Sequence, residues 1–160
     1  MNQSKQTIIS KNEKQLRSYI FEGVSVSIFG DSTTEQTSLA KKICLEERGI
    51  YLDLQLVKSE GEFKEYLAQE LEIKSDFKWF RLKKIITNKK LLFLDKFENI
   101  LSLNSCERNS LLGVLRALQQ NKTFQFVISS QKSLDNLIPL EKSLTSVFYN
   151  VLIPLKFDRS

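Results

Sequence analysis

The 160-residue sequence contains no histidine, and that absence removes the commonest general base and metal ligand. Ser-His-Asp and Cys-His nucleophiles are therefore excluded, and zinc chemistry is not expected. Cysteine is scarce too: Cys44 and Cys106 lie far apart in helical patterns, without metal-ligand spacing. They read as reduced thiols in or near the core of a cytosolic protein, not as a disulfide framework. Five glycines and two prolines are too few for a collagen-like or linker-rich chain. No apolar run approaches the eighteen or so residues that a bilayer span needs, and no cationic, apolar leader opens the chain. A cytoplasmic protein without membrane contact is expected.

What is present is the composition of one globular domain with a core of its own. The net charge of +5 is unevenly spread. Lys74, Lys78, Arg81, Lys83, Lys84, Lys89 and Lys90 face a single acid, Asp76, over one short stretch. This is the only stretch able to hold a polyanion by charge alone, with Lys83, Lys84, Lys89 and Lys90 as the expected contacts. The competing reading is a solvated basic helix face.

Taken in order, residues 1–9 are polar and read as a flexible lead-in. Ser10 and Glu13 form a capping box, and Leu16, Tyr19 and Ile20 then give a helical stripe that ends near Gly23. Val24 to Phe29 is the first strand, followed by a polar loop and a helix from Thr37 to about Arg48. Ile50 to Val57 reads as the second strand, with Ile50, Leu52, Leu54 and Leu56 on one face. Helices are expected from about Gly61 to Leu71 and from about Asp76 to Thr87. In the second of these Trp79, Leu82 and Ile86 share a stripe that Phe77 and Phe80 leave. Leu91 to Asp95 is an apolar run ending in an acid, the pattern of a strand buried on both faces. A helix from about Cys106 to Gln120, a fourth strand from Phe124 to Ser130, a short helical piece within Leu134 to Leu144 and a fifth strand from Ser146 to Leu152 complete the pattern. Alternating strands and helices imply parallel pairing with right-handed crossovers, hence one three-layer αβα domain over residues 10–155 and a tail over 156–160.

The stretch VSVSIFGDSTTEQTS organises the rest. Strand, loop and helix follow in the order of a phosphate-binding loop, and Gly30 stands six residues before Gln36 and seven before Thr37. The second glycine of that motif is Glu35 here and its lysine is Gln36, while Thr37 and Ser38 keep the hydroxyls. The backbone cradle and the positive charge near the β and γ oxygens are the parts these changes remove. A carboxylate about 5 Å from a phosphate charge is repelled by roughly 3 kcal/mol at an effective dielectric near 20. Glu35 is thus expected to fill the electrostatic niche of a phosphate at the positive end of the helix. An ordinary strand-to-helix turn with an acid in its first turn is the alternative.

With the segments SKNEKQLRSYIFEG, GDSTTEQTSLAKKI, LLFLDKFENIL and FVISSQKSL in place, the sequence resembles the STAND class of signal-transduction P-loop ATPases, the NB-ARC-like regulators within the AAA+ group. The resemblance implies a five-stranded parallel sheet in the order 5-1-4-3-2, with any nucleotide on the loop at the carboxyl end of the first strand. It makes Asp95 the Walker B acid of the magnesium shell and Thr37 a direct magnesium ligand. It places Lys96 where many relatives carry an activating acid, and Ser129 and Ser130 on a sensor strand whose arginine is missing. The family's core is followed by a helical lid over the adenine and ribose; here the sequence runs only a few residues past Leu155, and no lid domain is expected.

The expected function is a catalytically inactive P-loop module that scaffolds or regulates through a protein partner or its own oligomer, with no cofactor. Losing one charged partner costs a ligand roughly 2–5 kcal/mol, enough to take a micromolar site to millimolar. The alternatives are a weak ATP/ADP switch in which Thr37, Ser38 and Asp95 hold Mg²⁺ and Lys41, Lys42 or Lys96 replaces the loop lysine, and a nucleic-acid-associated AAA+ subunit that uses the basic segment 74–90.

Overall fold

The computed structural model describes residues 2–31, 33–88, 90–137 and 152–157. It opens with helix α1, Asn2–Phe21, which starts well before the Ser10 capping box because neither proline nor glycine interrupts the stretch. At the end of α1 Gly23 takes φ +76°, Val24 N–H donates to Tyr19 O and Gly23 N–H to Ile20 O. That paired closure turns the chain sharply into strand β1, Val26–Phe29. Gln125 fixes the corner from below: its buried amide donates to Val24 O at 2.9 Å and to Ile20 O at 3.1 Å.

Helix α2 (Thr33–Glu46) and strand β2 (Ile50–Asp53) follow. β2 ends four residues earlier than the alternation predicts. Asp53 accepts the N–H of Gln55 at 2.9 Å and caps a 3₁₀ turn over Leu54–Leu56, which leaves Leu56 exposed. Helix α3, Glu60–Leu71, starts on Ser59, whose hydroxyl accepts from Glu62 N–H. The single helix expected over 76–87 is instead a 3₁₀ turn, Trp79–Arg81, and one helical turn, α4, Leu82–Ile85. Residues two apart lie on opposite sides of a helix, yet Phe77 and Trp79 pack edge to face at 5.2 Å, so the helix breaks.

Strand β3, Lys90–Asp95, is buried from Leu91 onward, as its apolar run predicts. After a 3₁₀ stretch, Phe97–Ser102, helix α5 (Ser105–Gln120) begins on Asn104, whose side chain accepts from Glu107 N–H. Strand β4, Phe124–Ser130, has the predicted bounds and is buried throughout. A short α6, Leu134–Leu137, and strand β5, Ile153–Lys156, complete the described chain. The expected fifth strand ended at Leu152, but the strand begins one residue later; 146–151 lie outside the described residues. Pro154 argues against a strand in sequence, and it is tolerated here because β5 is an edge. Ile153 N–H donates to Ser25 O and Phe157 N–H to Phe29 O, so the alternate position 154, which lacks a donor, faces away from the sheet.

All five strands are parallel, in the order β2-β3-β4-β1-β5, the expected order read from the other edge. One face packs Leu52, Leu92, Leu94, Phe126 and Ile128 on α3 and α5. The other packs Val26, Ile28, Phe93, Val127 and Leu155 on α1 and α2. Fully burying each such side chain contributes about 1.5–3 kcal/mol, so both helical layers are held by the sheet between them. Among the described residues no helix is long and apolar enough to cross a membrane.

Gly30 opens the connection from β1 to α2. It has φ +146°, and a Cβ there would stand 2.2 Å from the backbone oxygen of Phe157. Gly30→Ala is expected to lower unfolding stability by roughly 1–3 kcal/mol through strain and overpacking. Urea unfolding checks it; an unchanged midpoint would remove the close approach.

Candidate functional site

The site lies at the carboxyl ends of β1, β3 and β4, where open parallel sheets place their ligand crevice. Its centre is Asp95, the last residue of β3 and 2% exposed. Thr37, one turn into α2, donates its hydroxyl to Asp95 Oδ2 at 2.6 Å. Tyr51 of β2 donates to the same oxygen at 2.5 Å. The other oxygen, Oδ1, accepts from the hydroxyl of Ser129 in β4 and from Lys96 N–H at 3.0 Å. Four donors from separate places in the sequence thus surround one carboxylate, two on each oxygen. Burial in the first place, and the hydrogen bond to Asp95 in the second, push the Tyr51 phenol far above its ordinary range, so it remains a donor.

Lys96 reaches this arrangement in the left-handed region, φ 55°, which turns its N–H back onto the preceding carboxylate. For a residue with a Cβ that conformation costs about 1–2 kcal/mol. Its ammonium points toward the β2 edge, onto Asp53 Oδ2 at 3.1 Å and Gln55 Oε1 at 3.2 Å. Ser130, the second sensor-strand hydroxyl, donates to Lys132 O and stays clear of Asp95.

On the loop side the helix starts earlier than predicted. α2 begins at Thr33, not Thr37, so only residues 30–32 separate it from β1, and three residues preceding Gln36 in the motif are already helical. Gln36 is 1% exposed and donates its amide to Gly30 O at 3.3 Å. Gly30 N–H in turn donates to Gln131 O at 3.1 Å. Glu35, expected in the phosphate niche, is exposed on the first turn of α2, and no hydrogen bond or ion pair joins it to another described residue. Hydration of its carboxylate in water wins over the inward position. Gln36 is the side chain that turns inward. Ser38 is exposed and takes no part.

The candidate cations nearest the loop are directed elsewhere. Lys41 Nζ lies 5.4 Å from the centre of the Tyr51 ring, and Lys42 Nζ is 3.0 Å from Glu13 Oε1. Glu13 is shared with Arg17, and Lys42 first, then Arg17, hold its carboxyl below the ordinary range. Of the expected polyanion contacts, Lys83 and Lys84 are exposed, Lys90 opens β3 and is half-buried, and Lys89 lies outside the described residues.

The structure therefore brings Thr37, Asp95, Lys96 and Ser129 together, and joins Gly30 to Gln36. It keeps Glu35, Ser38 and Ser130 apart from them. Sequence reasoning missed Tyr51, Asp53 and Gln55. Their signal was present in the alternation of β2, since a face of Ile50 and Leu52 puts Tyr51 and Asp53 on the other, and Asp53 pairs in register with Asp95.

No family model matches the chain, and no curated protein matches it in sequence. Solved structures do. The chain is similar to the Orc1 protein of Aeropyrum pernix, solved in complex with DNA, at 13% identity and a TM-score of 0.69, over 94% of this chain and 45% of that one. It is similar to a Walker-type ATPase of Pyrococcus abyssi at 11% identity and a TM-score of 0.65, over 92% and 52%. A chain of Drosophila ORC bound to AT-rich DNA and Cdc6 gives 8% identity and a TM-score of 0.66, over 98% and 57%. The present chain spans about half the length of these proteins. At such identities the likeness speaks for architecture alone, and that architecture, a five-stranded all-parallel sheet between helical layers, is the AAA+ P-loop ATPase fold.

Proposed function

We propose that this domain keeps the P-loop ATPase architecture while working as a regulatory or scaffolding module through protein contacts, without hydrolysing nucleotide. One observation carries the reading. Both oxygens of Asp95 are taken by protein donors, from Thr37, Tyr51, Ser129 and Lys96 N–H, so the acid that would orient a magnesium shell is engaged internally. Gln36 supports it further, being neutral at the lysine position and bonded to Gly30 O. Residues so arranged do not fit a magnesium–triphosphate: α2 begins inside the motif, and Lys41, Lys42 and Lys96 all face away from it.

The Asp95-Lys96-Phe97-Glu98-Asn99 segment supports kinship with the STAND regulators, and the similar proteins solved with DNA or Cdc6 support a subunit that sits in a larger assembly. A second reading, a nucleic-acid-associated subunit, is favoured by one observation: Lys83 and Lys84 are exposed beside an exposed Phe80, and neither has an ion-pair partner among the described residues.

Two measurements test the first reading. Titration calorimetry with Mg-ATP and Mg-ADP is expected to give no low-micromolar binding, and phosphate release no greater than that of a Thr37→Ala/Asp95→Ala control. Tight binding with turnover that this double variant abolishes would sink the proposal. Asp95→Asn is expected to lower unfolding stability by about 2 kcal/mol or more, because a charged acceptor is withdrawn from buried donors. A site kept for metal would respond in the opposite sense, gaining stability when its acid is neutralised, and that outcome would count against an internal role.

A further inference from the structure

Segment 72–88, which follows α3, is built in an unusual way for its composition. The chain leaves α3 through Glu72 at φ 57° and runs back along that helix. Trp79 stacks on Phe63 and donates its indole N–H to Glu60 Oε1 at 2.7 Å, at the start of α3. Phe77 and Leu82 are buried on either side of it. Three anchors thus hold a short turn, and what the turn presents outward is an aromatic ring among cations. Phe80 is 73% exposed, with the Arg81 guanidinium 5.8 Å from its ring centre. Lys78, Lys83 and Lys84 are exposed around it, and among the described residues none of these four cations has an ion-pair partner. Of the charged α3 side chains against the anchors, Glu60 is engaged by Trp79, and the Lys64 ammonium lies 4.9 Å from the Phe77 ring centre and 5.8 Å from that of Trp79.

An apolar protein partner would have to strip water from unpaired ammonium groups to reach this ring, which is unfavourable. A nucleic-acid strand solves both problems at once. It brings one phosphate per 3.4 Å of each strand for the cations, and bases whose faces stack on an aromatic ring or a guanidinium plane. The base must be free of its own stack, so a single strand fits where a duplex does not. We propose that Phe80, Arg81, Lys83 and Lys84 form a binding site for single-stranded nucleic acid, a base lying on Phe80 while the cations hold flanking phosphates. This site rests on the nucleic-acid reading and gives it a ligand class, and it does not depend on the nucleotide loop.

The test is fluorescence anisotropy with the full chain and labelled strands of about 15 nucleotides, as single-stranded DNA, single-stranded RNA and duplex, beginning near 50 mM salt. Single strands are expected to bind at least about tenfold tighter than duplex, with the tighter of DNA and RNA naming the source. Phe80→Ala is expected to weaken binding about tenfold with an unchanged salt slope, through the lost stacking contact. Lys83→Gln/Lys84→Gln is expected to flatten the plot of log K against log salt by about 1.4, at roughly 0.7 per phosphate contact, while Lys83→Arg/Lys84→Arg keeps it. All these side chains are exposed, so thermal melting of the variants should match that of the parent, and a variant that melts early is replaced by Phe80→Ser or by single lysine changes read the same way. Strand binding that ignores both Phe80→Ala and the lysine changes overturns this site while leaving the nucleic-acid reading standing. A preference for duplex, or displacement by polyglutamate as effective as by unlabelled strand, overturns it as well. No binding at low salt ends both.

Discussion

A single buried carboxylate organises the top of this domain. Asp95 sits where β3 ends, and the groups that satisfy it come from α2, β2, β4 and the residue that follows it. A buried charge is tolerated only when its lone pairs are met, and leaving even one unmet is expensive. Each donor is therefore constrained in turn. Thr37 fixes the rotation of α2 against the sheet, Tyr51 fixes the face that β2 presents, and Lys96 accepts a left-handed backbone to bring its N–H inward. The loop after β1 has no comparable charge to gather around, and it closes through neutral contacts, Gln36 to Gly30 and Gly30 to Gln131.

Two kinds of charge arrangement therefore share one scaffold. At the sheet end, charges are turned toward each other or toward backbone, with Lys96 on Asp53 and Lys42 on Glu13. Along the flank beside α3 the cations stand in water, next to a ring that hydrophobic burial alone would have taken inward. The first arrangement satisfies its charges within the domain, and the second leaves them to water.

Most of the architecture was readable from the chain because a parallel sheet writes itself as short apolar runs between amphipathic helices. β3 and β4 came out nearly to the residue, since each is buried on both faces. The departures have local causes. A side-chain cap at Asp53 outcompeted the strand alternation of β2, the joint packing of Phe77 and Trp79 defeated a helical period, and Pro154 hid an edge strand. At the site the spacing of Gly30, Thr37 and Asp95 was legible, because it is a backbone motif. That Gln36, and not Glu35, would turn inward was not, since it depends on α2 starting at Thr33 and so on which side of its first turn faces the sheet. The alternation of β2 gave the face of Tyr51, but not which residue of the neighbouring strand it meets.

Pro154 has a bearing on assembly. An exposed sheet margin ordinarily invites another chain to extend the ladder, and here the outward side of β5 is missing a donor at the middle of its run. The opposite margin, β2, runs for only four residues before the 3₁₀ turn carries the backbone out of line. Among the described residues neither margin gives a long unbroken template for strand addition. Among the described residues, side chains on the helices and turns offer more continuous ground for contact between molecules than the main chain at either margin.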